Sequence, residues 1–595
     1  MGIVNSLAGF SYSNFKGLGS LILRAFPQIS AKLESAGIRI HPEAYASVVA
    51  AITFISAIVC IPSAVIIYFL TQNIIYPIIV GIIPLFILLI GVAYPYGEAA
   101  SKASVLESEV PYAATYLAVM ATGGIPPYVS LERIARSELM PNLAKAARMA
   151  EIQVSATGLD PITAMENMAK GIPSKEYRDL LMGYASTLRS GGDVVHFLIR
   201  KTEMIFESRT NKMRIVGERM GMLMEAYAAT VMMLSLVIYI MYIISRAMPT
   251  QYMMLPPGQF VIIAYLIMPA LASVFLYLGD ISQPKYPLTD SRPYKAFMAS
   301  IPIAIAFLIL FVAPFYVDQL KVIPPFNLTS NLIVRFRETL NLDMGYEASI
   351  ALCFFFIILF APGMVAWEKY GKENYSIMHG LTRFTRDLTE ARKTGMSPEK
   401  CIMTLAERGE KTYGGFTQHL KIIARQTGWG LSLRKIYRDF EKRVYGWLAR
   451  AGVFIMIDAI DVGGGAPETF DVLATFMENL EEMEKNKRAT LRPLLLIPYM
   501  TAIILVMVVV ILISFMKSLL TLARVYISVP EFVHLFLPPV VLIAVISGLV
   551  AGKVSSGTIA AGFKHAVIMS VITLIAIWLS GTISVQIITP PTPTA

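Results

Sequence analysis

The residues able to do chemistry are few, and their spacing excludes most of the chemistry they could do. Six histidines stand at positions 41, 196, 379, 419, 534 and 565. None belongs to an HExxH or comparable pair, the spacing that puts two imidazoles on one helix face for zinc. Cys60, Cys353 and Cys401 form no CxxC, so neither a disulfide framework nor a metal knuckle is indicated. A phosphate cradle needs GxxxxGK[ST]; the nearest approach is Ser547-Gly548-Leu549-Val550-Ala551-Gly552-Lys553-Val554. There the first glycine comes one position late and Val554 replaces the metal-binding hydroxyl, so no ATP site is expected. Gly548 and Gly552 instead form a GxxxG, which suits close packing of membrane helices. Gly463-Gly464-Gly465 follows no predicted strand, so a dinucleotide fingerprint is unsupported. No catalytic residue, cofactor or metal is expected, and the chain reads as a non-enzyme.

Charge is the remaining chemistry, and it is concentrated. Charged residues are 15% of the 595-residue chain, the net charge is +10, and more than half the residues are hydrophobic. The second polar block carries the run Arg434-Lys435-Ile436-Tyr437-Arg438-Asp439-Phe440-Glu441-Lys442-Arg443. Arg434, Lys435, Arg438, Lys442 and Arg443 are candidates for docking a partner protein, as are Lys175, Arg178 and Arg189 in the first block. The bland alternative is a solvated helix face and, for Glu481 to Arg488, an anchor in lipid headgroups. No zinc-finger, homeodomain or RNA-binding pattern occurs, so no nucleic-acid partner is expected.

These charges sit between long apolar runs. Mean hydropathy is +0.61, far above that of a soluble domain. Nine stretches are long enough to cross a bilayer: 45–70, 74–96, 224–245, 260–279, 297–317, 347–367, 493–516, 532–551 and 566–587. The prolines inside them, such as Pro269, Pro302, Pro314, Pro362 and the pair Pro538–Pro539, predict kinks. The spans hold almost no charge, which argues against an ion-coupled transporter. The expected architecture is all-α. It comprises an amphipathic N-terminus (1–44), spans 1–2 (45–96), a first helical bundle (97–223), spans 3–6 (224–367), a second bundle (368–492), and spans 7–9 with a short tail (493–595). An odd number of spans puts the chain ends on opposite sides. The Lys and Arg of the short segments place the N-terminus and both bundles in the cytoplasm and the C-terminus outside. Asn327-Leu328-Thr329 would then be a glycosylation-type sequon on the outer side.

The two polar blocks repeat one another. When Gly395 is laid on Gly124, each is followed by an apolar residue, any residue, a proline, and apolar residues at helical spacing, ending in Ala406 or Ala135. Further glycines recur about 34 residues apart: Gly158, Gly191 and Gly192 in one block, Gly428, Gly430 and Gly464 in the other. Glycine is favoured where a helix ends left-handed, so each block is expected to be a bundle with three glycine-marked corners.

Glu109-x-Pro111, Ala113, Leu117, Gly124-x-Pro126-Pro127, Leu131 and Ala135 resemble the F-domain of type II secretion and type IV pilus platform proteins. Leu388, Gly395, Ser397-Pro398, Leu405 and Ala406 resemble it again. Gly158-Leu159-Asp160 and Ser190-Gly191-Gly192-Asp193 fit the later corners, and Leu33 to Tyr45 is similar to the lead-in of archaeal members. The second copy departs in having Thr382 in place of Pro111 and a glycine triplet at its third corner. The resemblance implies a platform in the cell membrane beneath an archaeal adhesive pilus or archaellum. Such a platform binds a hexameric secretion ATPase on the cytoplasmic side, passes pilin or archaellin subunits to the filament, and is compatible with a homodimer. The alternative reading is a transporter or lipid permease with regulatory insertions, which substrate flux in proteoliposomes would reveal.

Overall fold

The computed structural model describes residues 2–36, 38, 40–71, 75–172, 174–247, 255–408, 412–463, 466–523 and 529–587. Gly464 and Gly465, Gly37, Arg524 and the proline-rich tail lie outside the described residues. Among the described residues the regular structure is helical throughout. Nine of these helices are long and apolar enough to cross a membrane, one for each stretch expected from hydropathy. The chain is an all-α polytopic membrane protein. It divides into two compact units, Met1–Glu109 and Val110–Ala595.

The first unit holds α1 (Gly2–Ala25), α2 (Ile29–Ser35), α3 (Pro42–Thr71) and most of α4 (Ile75–Thr122). The α1 helix packs along α3, with the Phe15 and Phe54 rings 5.5 Å apart. Tyr45 donates to the Gly91 carbonyl at 2.8 Å. A Cβ on Gly91 would stand 2.6 Å from a Val49 methyl, so α3 and α4 approach closely because position 91 has no side chain.

The second unit begins with the end of α4 and continues as α5 (Pro127–Ala135), α6 (Pro141–Thr157), α7 (Pro161–Gly171), α8 (Lys175–Arg189) and α9 (Val194–Ala247). Next come α10 (Pro257–Val261), α11 (Met268–Ser282), α12 (Arg292–Phe307), α13 (Pro324–Thr339) and α14 (Glu347–Lys393). The second copy repeats the first as the end of α14, α15 (Pro398–Ala406), α16 (Phe416–Gly428), α17 (Leu433–Arg443), α18 (Trp447–Gly463) and α19 (Pro467–Leu491). The chain then runs through α20 (Leu496–Ala523), α21 (Val529–Ser556) and α22 (Ile559–Ile587). Proline starts α5, α6, α7, α15 and α19, where its missing N–H costs nothing. Asp160, Ser174 and Ser397 cap α7, α8 and α15 through backbone N–H groups three residues on.

The α21 helix is the axis of the membrane part. Of its most apolar stretch 78% is buried, against 17% for the span containing α11. It meets α22 through glycine: a Cβ on Gly552 would lie 2.3 Å from Gly562 Cα, and one on Gly548 2.6 Å from the His565 carbonyl. This is the contact a GxxxG permits. The proline pair of α21 has a specific partner. Pro538 and Pro539 lack the N–H groups that would serve the carbonyls of His534 and Leu535. The Tyr265 hydroxyl lies 3.4 Å and 3.2 Å from those two oxygens and donates to them. Tyr265 itself sits in a π-helical turn, Ile262–Ile267, just before Pro269. A second π turn, Leu308–Val312, precedes Pro314, while Pro302 and Pro362 lie within α12 and α14.

The connector between spans five and six contains α13, started by Pro324-Pro325. The Asn327 sequon lies in its first turn, where Thr329 donates to the Leu310 carbonyl at 2.6 Å. Arg337 at its end pairs with Glu347 at 2.7 Å, and the other Glu347 oxygen accepts from the Gly345 N–H at 2.7 Å. That carboxylate closes the start of α14, where a negative charge is favoured.

Tyr265→Phe is expected to lower thermal stability by about 1 kcal/mol, as a membrane hydrogen bond is removed. With Pro538→Ala and Pro539→Ala already present, the same change should cost nearly nothing. An equal cost in both backgrounds, measured by thermal unfolding in one detergent, would refute the pairing.

Candidate functional site

The membrane geometry of the second unit fixes which end of each bundle faces away from the bilayer. Residue 393 ends α14 about 40 Å beyond residue 367 at 1.5 Å per residue. The Gly395 corner is therefore distal. The chain returns at Gly415, whose N–H donates to Ser376 at 2.7 Å, and at Gly446, which packs on Asn374. Gly430 and the start of α19 are again distal. In the first copy Leu139 and Glu176 mark the membrane-near turns: Leu139 accepts from Trp447, and Glu176 pairs with Lys212 on α9. The glycine corners of both bundles thus share the distal end.

Their backbones explain the glycines. Gly124, Gly158, Gly191, Gly395 and Gly430 have φ of 80°, 65°, 70°, 85° and 72°, a region that a side chain disfavours. Gly192 and Gly428 are not left-handed. Gly428 ends α16 as an ordinary helical residue, and the left-handed turn falls two positions later at Gly430.

The two copies are locked together at one buried carboxylate. Asp458 on α18 is 6% exposed. Arg133 of α5 donates to it at 2.7 Å, across 325 residues of sequence, and the Tyr116 hydroxyl of α4 donates to its other oxygen. Tyr116 stacks on Phe454, and Tyr112 meets Trp447 edge-on at 4.3 Å. Trp447 in turn donates to the Leu139 carbonyl at 2.8 Å. A second seam joins α9 to α19, where Phe206 stacks on Phe476.

The connector between α11 and α12 plugs into the same junction. Tyr286 stacks on Trp447, donates to Glu484, and lies under the Lys487 ammonium. Arg292 is held between the Tyr370 and Tyr445 rings at 3.7 and 4.4 Å and pairs with Asp290 at 2.8 Å. Burial works against ionisation of Asp290, but Arg292 prevails and holds its carboxyl below the usual range. Along the outside of the second bundle, His379, Arg386 and Lys393 of α14 pair with Glu481, Glu478 and Asp471 of α19, one rung every seven residues. The acidic run near residue 481 is thus engaged in pairing within the bundle.

The eight expected docking residues do not form one patch. Lys435, Arg438 and Lys442 make a single exposed stripe on α17, with no ion pair among the described residues. Arg434 reaches Asp461 at 3.4 Å yet stays 61% exposed. Arg443 turns along its own helix to Asp439, which also accepts from Gln426 of α16. Arg189, at the distal end of α8, pairs with Glu166 at 2.9 Å and donates a hydrogen bond to its other oxygen at 3.2 Å. Lys175 and Arg178 lie at the opposite, membrane-near end of α8, where Arg178 donates to the Ile172 carbonyl. Sequence reading missed Asp458, Arg133, Trp447 and Tyr286. Asp458 had a visible signal as the single charge in the apolar run Val453–Ile460.

Asp458→Ala strands the partly buried Arg133 and is expected to cost about 3 kcal/mol of stability. Asp458→Leu combined with Arg133→Met should recover most of it, and calorimetry of the four-variant cycle measures the coupling. A second expectation concerns acid. Burial opposes ionisation of Glu176, but Lys212, Ser208 and Arg209 overcome it and lower its pKa below the ordinary 4.5. The folded form binds that proton less readily than the unfolded form, so this stabilisation is complete above 4.5 and is lost as pH falls through the lower folded value. Glu176→Gln should flatten the acid limb of a melting-temperature profile and leave its slope near neutrality unchanged.

Comparison with known proteins gives one family twice: residues 113–242 and 384–514 each match type II secretion system protein F. An uncharacterized protein of Methanocaldococcus jannaschii, MJ1286, is 21% identical over 502 residues, covering 82% of each chain. No solved structure matches. Proteins of this family are membrane platforms of type II secretion and type IV pilus-like machines and generally work with a secretion ATPase. The matched segments hold most of each bundle and the spans formed by the end of α9 and by α20, so the chain carries the type II secretion system protein F domain twice within one polytopic membrane protein.

Proposed function

We propose that this chain is the membrane platform of an archaeal type IV pilus-like filament machine. It docks a hexameric secretion ATPase through its bundles and passes pilin or archaellin subunits to the filament base. Its task is force transmission, with no bond chemistry of its own. The N-terminus and both bundles are cytoplasmic and the C-terminus lies outside, in line with the Lys and Arg of the short connectors.

One observation carries this reading. The two bundles are pinned to each other at Asp458, and both continue into the membrane as unbroken helices, α9 of 54 residues and α14 of 47. A load applied at the distal corners therefore reaches the spans without crossing a flexible joint. The Methanocaldococcus relative, matching over most of its length, supports the archaeal branch.

Purification of the tagged chain from its own host in mild detergent should co-purify a secretion ATPase and small single-span pilin-like proteins, identified by mass spectrometry. Recovery of the intact chain with neither, and with a soluble metabolic partner instead, would refute the platform reading.

A further inference from the structure

The corner between α16 and α17 exposes the one aromatic side chain that the bundle leaves most open. Trp429 is 76% exposed. Its backbone is fixed: its N–H bonds the Arg425 carbonyl at 3.0 Å, Gly430 N–H the Thr427 carbonyl at 2.9 Å, and Leu431 N–H the Gln426 carbonyl at 3.2 Å. The indole is thus presented outward on a rigid, left-handed glycine turn. Immediately after it, α17 buries Ile436 and Phe440 and turns Arg434, Lys435, Arg438 and Lys442 outward. Like charges three and four residues apart on one helix face repel, and among the described residues no acid forms an ion pair with Lys435, Arg438 or Lys442, Glu441 attracting Arg438 only at longer range. The first bundle has nothing equivalent. Its corner is Gly158-Leu159-Asp160, where Asp160 is used to cap α7, and α7 carries a single basic residue, Lys170.

We propose that Trp429 and the Lys435–Arg438–Lys442 stripe form one docking surface, confined to the second bundle, for a protein that offers an apolar pocket rimmed with carboxylates. Exposed tryptophan is the residue type most able to anchor an interface from a pocket, and an unpaired basic stripe beside it sets orientation and association rate. A lipid surface is not the occupant. The corner stands about 30 Å from the bilayer at 1.5 Å per residue along α14, and charge attraction is screened within about 10 Å. This inference rests on the platform reading for the probe that tests it.

The test is biolayer interferometry of the full chain in nanodiscs against the secretion ATPase purified from the same host. Trp429→Ala is expected to weaken binding at least tenfold, mainly through faster dissociation, while Trp429→Phe keeps most of it. Lys435→Glu with Arg438→Glu and Lys442→Glu should slow association at least tenfold and flatten its salt dependence. Because these side chains are exposed, every variant should melt with the wild type. An affinity within twofold of wild type for Trp429→Ala, or an unchanged salt dependence for the charge variant, overturns the proposal. So does stripe-dependent binding of polyuridylate or of phosphatidylglycerol vesicles that displaces the protein. If the wild type fails to bind the ATPase, the ATPase reading falls, and a photo-crosslinker placed at position 429 in the host decides the surface alone. A crosslink mapped to apolar residues among Asp and Glu of another protein, and lost in the charge variant, sustains it; crosslinks to no protein overturn it.

Discussion

The arrangement of the second unit hangs on the desolvated carboxylate of Asp458. A buried charge is tolerable only when its lone pairs are answered, and here both answers come from the other repeat, from Arg133 and Tyr116. Phe454 stacks on the Tyr116 ring beside it, and Tyr112 against Trp447 continues the apolar seam along α4 and α18. Apolar packing alone would hold two helical bundles side by side in several registers. A directed ion pair selects one register, and Tyr286 and Arg292 then tie the connector of the membrane part to that choice.

Duplication has given two bundles of the same helix order and different duties. The first copy spends its charges within itself, Arg189 on Glu166 and Lys212 on Glu176, or on the seam, Arg133 on Asp458. The second spends its acids on the α14–α19 ladder and leaves the α17 stripe open. Proteins bind through what folding leaves unsatisfied, so the asymmetry of side chains on symmetric backbones is where the two copies part.

What could be read in the sequence follows from the range of each signal. Spans are local and additive in hydropathy, so all nine were legible. Glycine corners are local too, and Gly124, Gly158, Gly191, Gly395 and Gly430 lie where a left-handed residue was expected. Gly428 beside Gly430 shows the limit, since two glycines near a helix end leave the final turn undecided by two residues. The α13 helix is not legible in the sequence, because its apolar pattern is short and half polar. The partner of Pro538 and Pro539 was hidden because a tyrosine hydroxyl some 270 residues away answers their carbonyls. Arg133 and Asp458 were hidden for the same reason, as pairing at that distance leaves no periodic trace.

The separation of that ion pair also sets a timetable for biogenesis. The chain is made from its N-terminus, and Arg133 emerges 325 residues ahead of Asp458. At about 5–20 residues per second, the first bundle waits on the order of 15–60 s with its docking face uncovered. During that interval four further membrane crossings must be threaded. A newborn first repeat is therefore a natural client for a chaperone at the insertion site, and its premature pairing with a finished second repeat from another molecule would yield a swapped assembly.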